Sequence, residues 1–225
     1  MLTQTARFPS PLPLDAVLPP ALPDELFNAL ESMGSRASYR RGAEIYGEGE
    51  PAEFVYKVLS GSVRTYKILD DGRRQIGAFY LAGDFFGLEG GKEHHFSAEA
   101  VGCSSVQIIK RSVLMARASR DIGLANQLWA FTARELARVR NHTLLLVQTA
   151  QERVAAFLLE MAERLRTWEA IELPMSRQDI ADYLGLTIET VSRTLTQLEA
   201  QATIALPSSR RIVLRDCRAL RRLNA

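Results

Sequence analysis

The spacing of apolar positions changes along the chain, and each change predicts a different kind of structure. From Ser38 to Lys110 apolar residues alternate with polar ones or come in short bursts between glycines. Residues 43–46, 54–59, 62–68, 73–81 and 104–109 read as strands, because successive side chains of an extended chain point to opposite faces. Ser60-Gly61 and Asp70-Asp71-Gly72 are hairpin signals between them. Closely spaced strands with no helical pattern in between predict an antiparallel roll or barrel. Ahead of it, Leu26, Leu30 and Met33 predict a short helix over 23–33, and the proline-rich residues 1–22 an irregular arm. Over 121–147 glycine vanishes after Gly123 and the period turns helical. Trp129, Thr132, Leu136, Val139, Thr143, Leu146 and Ala150 recur by alternating threes and fours, as a coiled-coil seam requires. Arg134, Glu135, Arg138 and Asn141 occupy the opposite face. Such a stripe suits either a two-fold dimer or packing on the chain's own roll.

Beyond residue 150 the apolar residues keep a helical period but are punctuated by caps. Residues 151–165 predict an amphipathic helix and 171–173 a short strand. Ser176 with Asp179 three residues on approximates a capping box, and Ile180, Ala181 and Leu184 then share one face. Gly185 ends that helix, Leu186 plugs the core, and Thr187 caps a second helix with Val191, Leu195 and Leu198 inward. Ile188, Glu189, Ser192 and Arg193 are left outward. Residues 204–206 and 211–214 bracket Pro-Ser-Ser-Arg as a hairpin. A helix pair with a merely solvated polar face has the same periodicity, but Gly185 between two capped helices and the hairpin behind them favour a winged helix-turn-helix. In that motif the second helix lies in the DNA major groove. Glu189 could accept from cytosine N4, Arg193 could donate bidentately to guanine, and Ser192 could meet either edge.

Composition narrows this reading. The 225 residues are 47% hydrophobic and 24% charged, with net charge +2, values of an ordinary globular chain with room for two domains. No global basicity marks a polyanion partner; the distribution does. After Pro207, Arg210, Arg211, Arg215, Arg218, Arg221 and Arg222 face a single acid, Asp216, which suits a phosphate-facing surface. Cys103 and Cys217 are too few and too far apart for a disulfide framework, so a reducing compartment is expected, with Cys103 a small hydrophobe in or beside a strand. Neither a signal-peptide pattern nor a run approaching the roughly 20 apolar residues of a membrane span occurs, so the expected location is cytoplasmic. Adjacent His94 and His95 must point to opposite faces of a strand and suit a solvated loop better than a metal site. Without a nucleophile motif, phosphate loop or metal constellation, the expectation is no enzyme and no cofactor.

The run Leu81-Ala-Gly-Asp-Phe-Phe-Gly87, with Gly42, Gly49 and Gly61, resembles the cyclic-nucleotide-binding roll of the CRP/FNR family of bacterial transcription regulators. Arg153-Val-Ala-Ala-Phe-Leu-Leu159 resembles the first helix of that family's winged domain, and Leu184 to Arg193 its recognition helix. The resemblance spans nearly all of the chain after Pro23. It implies an α+β fold: an arm (1–22), an antiparallel sensory roll (23–120), a dimerisation helix (121–149) and a winged helix-turn-helix (150–225). It implies base contacts by Glu189, Ser192 and Arg193. Phosphate contacts would come from Ser176, Arg177, Thr187, Thr190, Arg210 and Arg211. A homodimer interface would use Trp129, Leu136, Val139 and Leu146, and RNA polymerase would be a partner through a roll loop, for which 70–73 is the candidate. Where the family's cyclic-AMP binders carry Gly-Glu and then Arg-Ser-Ala, this chain has Gly90 and Phe96-Ser97-Ala98. Phe96 cannot pair with a phosphate. The family's iron-sulfur members need four thiolates, more than the two cysteines present. Glu-x-x-Ser-Arg looks like the FNR and FixK branch, implying a TTGAT-type inverted repeat and an activator of low-oxygen or nitrogen-fixation genes. The alternative is a ligand-gated regulator sensing something other than cyclic AMP in the roll. Ala202 stands where the family usually has Gly.

Overall fold

The computed structural model describes residues 34–223. The expected arm over 1–22 and helix over 23–33 lie outside the described residues. Eight strands come first: β1 (Gly34–Tyr39), β2 (Glu44–Tyr46), β3 (Phe54–Ser60), β4 (Ser62–Ile68), β5 (Arg74–Leu81), β6 (Phe85–Phe86), β7 (Ser97–Ala100) and β8 (Ser104–Lys110). They form two antiparallel four-stranded sheets, β1-β8-β3-β6 and β2-β7-β4-β5. The roll expected from the pattern is therefore present, with three strands the pattern had not marked. β1 and β7 hold few large apolar residues and β6 has two residues, too little for a period to register. At the Ser60-Gly61 turn, Gly61 has φ of +80°, and a Cβ there would meet Cys103 O at 2.4 Å, so no larger residue fits. The roll's interior packs Tyr46, Tyr56, Val58, Val63, Phe86, Ala98 and Val106.

Two expectations for the roll need correction. His94 is not in solvent: it is buried and stacks on Tyr46 with ring centres 3.6 Å apart, while His95 is exposed. Neither lies in a strand, so the opposite-face argument does not apply; the loop turns one ring onto an aromatic wall and leaves the other in solvent. Cys103 is exposed in the turn before β8 rather than packed.

After the roll come α1 (Arg111–Ala118) and α2 (Ile122–Leu145). Leu124 and Phe131 of α2 pack with Val55, Phe85, Ile109 and Leu114 beneath the first sheet. The stripe sits on the opposite side: Ile122, Trp129, Leu136 and Val139 are 78%, 76%, 50% and 58% exposed. Arg134, Glu135 and Arg138 are half-buried. A helix packed on a core ordinarily turns its apolar stripe inward and its polar face to water, the reverse of what is seen here. The helix also ends sooner than the seam implied. Thr149 caps α3 (Ala150–Arg164) in a capping box with Glu152, so Ala150 begins a new helix and does not continue the stripe.

The remaining elements are β9 (Ala170–Glu172), α4 (Arg177–Leu184), α5 (Ile188–Ala200), β10 (Ile204–Ala205), β11 (Arg211–Leu214) and α6 (Cys217–Leu223). β10, β11 and β9 make a three-stranded antiparallel wing sheet. The core of this half does not stop at its boundary. Ile76, Phe79 and Val101 of the roll join Phe157, Tyr183 and Leu195 in one apolar cluster. Between α5 and the wing, Ala202 adopts φ of +56°, the left-handed region that costs a residue with a Cβ about 1–2 kcal/mol. Ala202→Gly is expected to raise stability by up to about 1 kcal/mol, net of glycine's larger entropy in the unfolded chain, measured by urea unfolding. A decrease would place the strain elsewhere.

Candidate nucleic-acid interface

One carboxylate organises the start of α4. The Ser176 hydroxyl accepts from the Asp179 amide at 3.1 Å, and Asp179 Oδ2 accepts from the Ser176 amide and hydroxyl at 3.0 and 2.8 Å. Asp179 Oδ1 accepts from Arg64 and Arg74, both in the roll, at 2.7 and 2.6 Å. Burial alone would raise the Asp179 pKa; the Ser176 amide, Arg64, the Ser176 hydroxyl and Arg74 outweigh it and hold it below the ordinary value. Gly185 then turns the chain out of α4 at φ +62°, ψ +40°, and the Leu186 amide closes on Ala181 O. Thr187 Oγ1 accepts from the Thr190 amide at 3.2 Å to start α5. Val191, Leu195 and Leu198 are buried as the spacing required, with Thr194 beside them.

Burying that face leaves the other outward. Glu189 and Arg193 are exposed one turn apart, and Ser192 is half-buried beside them. No salt bridge joins Glu189 to Arg193 among the described residues, so neither charge is neutralised by the other. The backbone amide of Glu189 itself and the Thr187 hydroxyl lower the Glu189 pKa, keeping it an anionic acceptor at neutral pH. Thr187 and Arg211 are exposed, Arg177 and Thr190 half-buried, and the Ser176 hydroxyl is committed to its cap. Arg210, in the loop between β10 and β11, lines a cleft with Ser176, Asp179, Arg64 and Arg74. Pro207, Ser208 and Ser209 form the exposed tip.

Four residues that position these helices were not singled out by pattern. Arg153 donates to Leu184 O at 2.8 Å, Leu146 O at 2.6 Å and Gln148 O at 2.9 Å, tying the end of α2 to the end of α4. His142 stacks on Tyr183 with centres 4.0 Å apart, its Nε2 2.8 Å from Tyr183 O. Arg64 and Arg74 reach α4 from more than a hundred residues away. In sequence each looks like an ordinary solvated side chain; only the fold supplies the partner. Among the described residues no group of three His, Cys, Asp or Glu is placed to hold a metal.

A β-roll, a long helix with an apolar face turned outward, and a capped helix-turn-helix followed by a wing together define a two-domain helix-turn-helix transcription regulator. Sequence profiles agree: a cyclic nucleotide-binding domain matches residues 36–121 and a Crp-like helix-turn-helix domain residues 152–223. The chain is 56% identical over 200 residues to the nitrogen fixation regulation protein FixK of Azorhizobium caulinodans, covering 86% of this chain and 81% of that one. It is 44% identical over 188 residues to the Rhizobium meliloti protein of the same name, covering 83% and 86%. The structure of FixK2 from Bradyrhizobium japonicum superposes with a TM-score of 0.82 at 54% identity, covering 86% of this chain and 98% of that one. The chain belongs to the CRP/FNR family of transcription regulators as a FixK-like member, and its function is regulatory rather than enzymatic.

Proposed function

We propose that the protein binds a TTGAT-type inverted repeat as a homodimer and activates transcription by touching RNA polymerase. What carries this reading is the single outward face of α5, where Glu189, Ser192 and Arg193 stand together on a helix locked by caps at both ends of the α4–α5 turn. Glu189 and Arg193 read base edges, and Arg177 and Arg211 hold the phosphates. Two such faces are needed one helical turn apart on DNA, and the outward stripe of α2 is the surface that pairs them. The exposed turn at Asp71–Arg73, stiffened by an ion pair of 2.7 Å, is the polymerase contact.

Phe96 lies against Gly77 of β5, where a Cβ on that glycine would meet its ring at 3.0 Å, and an apolar ring there, where the resemblance puts a phosphate-binding Arg, supports the reading that cyclic AMP does not bind. The expected result is DNase I protection of the inverted repeat by the purified protein without added nucleotide, and no saturable heat on titration with cyclic AMP up to millimolar ligand. Protection that needs a small molecule would favour a ligand-gated roll instead. One observation favours that second reading: Tyr46 Oη, Glu89 Oε2 and His94 Nδ1 are buried in the roll without hydrogen-bond partners, His94 Nδ1 lying 3.1 Å from Glu89 Oε2 without the alignment of a bond.

A further inference from the structure

Where the roll meets α4 and the wing there is a cleft of about 200 Å³, walled by Arg41, Arg64 and Arg74 on the roll side and by Ser176 and Arg210 on the winged side. Four guanidinium groups face two carboxylates, Glu99 and Asp179. Both carboxylates are already engaged, Glu99 by Arg64 at 2.8 Å and Asp179 by Arg64 and Arg74. Among the described residues no carboxylate lies within salt-bridge distance of Arg41 or Arg210, and Nε of Arg64 is buried with no hydrogen-bond partner. A buried guanidinium N–H without an acceptor is costly, and with Arg41, exposed, and Arg210, half-buried, both lacking a carboxylate partner, the cleft suits an oxygen-rich anion. We infer that this interdomain cleft binds a small, multiply charged phosphate: a free phosphorylated metabolite that bridges the roll and the winged domain.

The volume decides the size class. Sites for drug-sized ligands run from about 300 Å³ upward, so this cleft takes a phosphate group with a small body attached. The charge excess decides the kind of anion. A phosphate diester such as cyclic AMP brings one negative charge, whereas a phosphomonoester or diphosphate can answer both spare arginines. An anion seated there would contact Arg41 in one domain and Arg210 in the other, so its binding would also stiffen the junction that orients α4.

The test is calorimetric titration of inorganic pyrophosphate into the full chain without DNA, in buffer free of phosphate and sulfate. Saturable binding of one pyrophosphate per chain is expected. Arg41→Gln with Arg210→Gln should weaken it at least about tenfold, since each substitution removes a charged donor to the anion. Neither residue holds an ion pair in the described structure, so this double variant should keep the thermal midpoint of the parent. Arg193→Ala should bind pyrophosphate like the parent. Absence of saturation, or equal affinity in the double variant, would overturn the proposal; so would a loss caused by Arg193→Ala, which would put the anion on the DNA-facing surface. Exclusion of pyrophosphate by saturating operator DNA would identify the phosphate as the DNA backbone and overturn a free metabolite. Because the primary titration contains no DNA, failure of operator recognition would leave its result intact.

Discussion

Val139→Glu is expected to sediment as a monomer at micromolar concentration and to lose binding to the inverted repeat. Val139 stands 58% exposed in the middle of the α2 stripe, between Leu136 and Thr143. A two-fold axis along that stripe would bring the two copies of residue 139 together, so the variant would bury two like charges. An uncompensated buried charge costs about 3–5 kcal/mol. In the single chain the same side chain stays in water, so the fold itself should survive with its thermal midpoint little changed. Asn141→Glu is the matched control: Asn141 is exposed and off the stripe, and the variant should stay dimeric. A dimeric Val139→Glu protein would move the interface elsewhere on the molecule.

Arg193→Ala is expected to cost about 1–3 kcal/mol per half-site on the TTGAT-type repeat and much less on random DNA, with relaxed preference at the base pair it reads. Arg193 and Glu189 lie one turn apart on the exposed face of α5, within reach of one base pair or its neighbour. Glu189→Ala should behave alike. Arg211→Ala has a different signature, because the exposed first residue of β11 carries charge without a base edge to read. It should weaken both DNAs equally and lower the salt slope by about one for each phosphate left without its cation. Binding isotherms on both DNAs over a range of salt separate the two. If Arg193→Ala flattened the salt slope on both DNAs while Arg211→Ala altered sequence preference, the roles would be exchanged.

Much of this interface was legible before any fold was known, since its determinants are local. A capping box needs only Ser176 and Asp179 three residues apart, and a left-handed stop needs only Gly185 at the right place. The inward positions of α5 follow from a period of 3.6, so the outward positions follow as well. Strands were legible where they alternate, as in β3 to β5, and illegible in β1, β6 and β7, whose short or polar segments are held by partners far along the chain. Ala202 sits at a positive φ, a backbone conformation that a residue without a Cβ holds at lower cost.

What the amino-acid order determined by itself was the alternating strands, the caps of the longer helices and which face of each of those helices is apolar, because those depend on residues within a few positions of one another. Which face would be covered was a matter for the tertiary structure. It buried Leu124 and Phe131 of α2 against the roll and left Trp129, Leu136 and Val139 in solvent. It sent His94 inward onto Tyr46, set Arg210 of the wing loop along the cleft, and closed Asp179 with arginines from another domain. A charged or aromatic side chain has no preferred partner in sequence; its partner is whichever group the backbone brings within a few ångströms, and desolvation then makes that pairing obligatory.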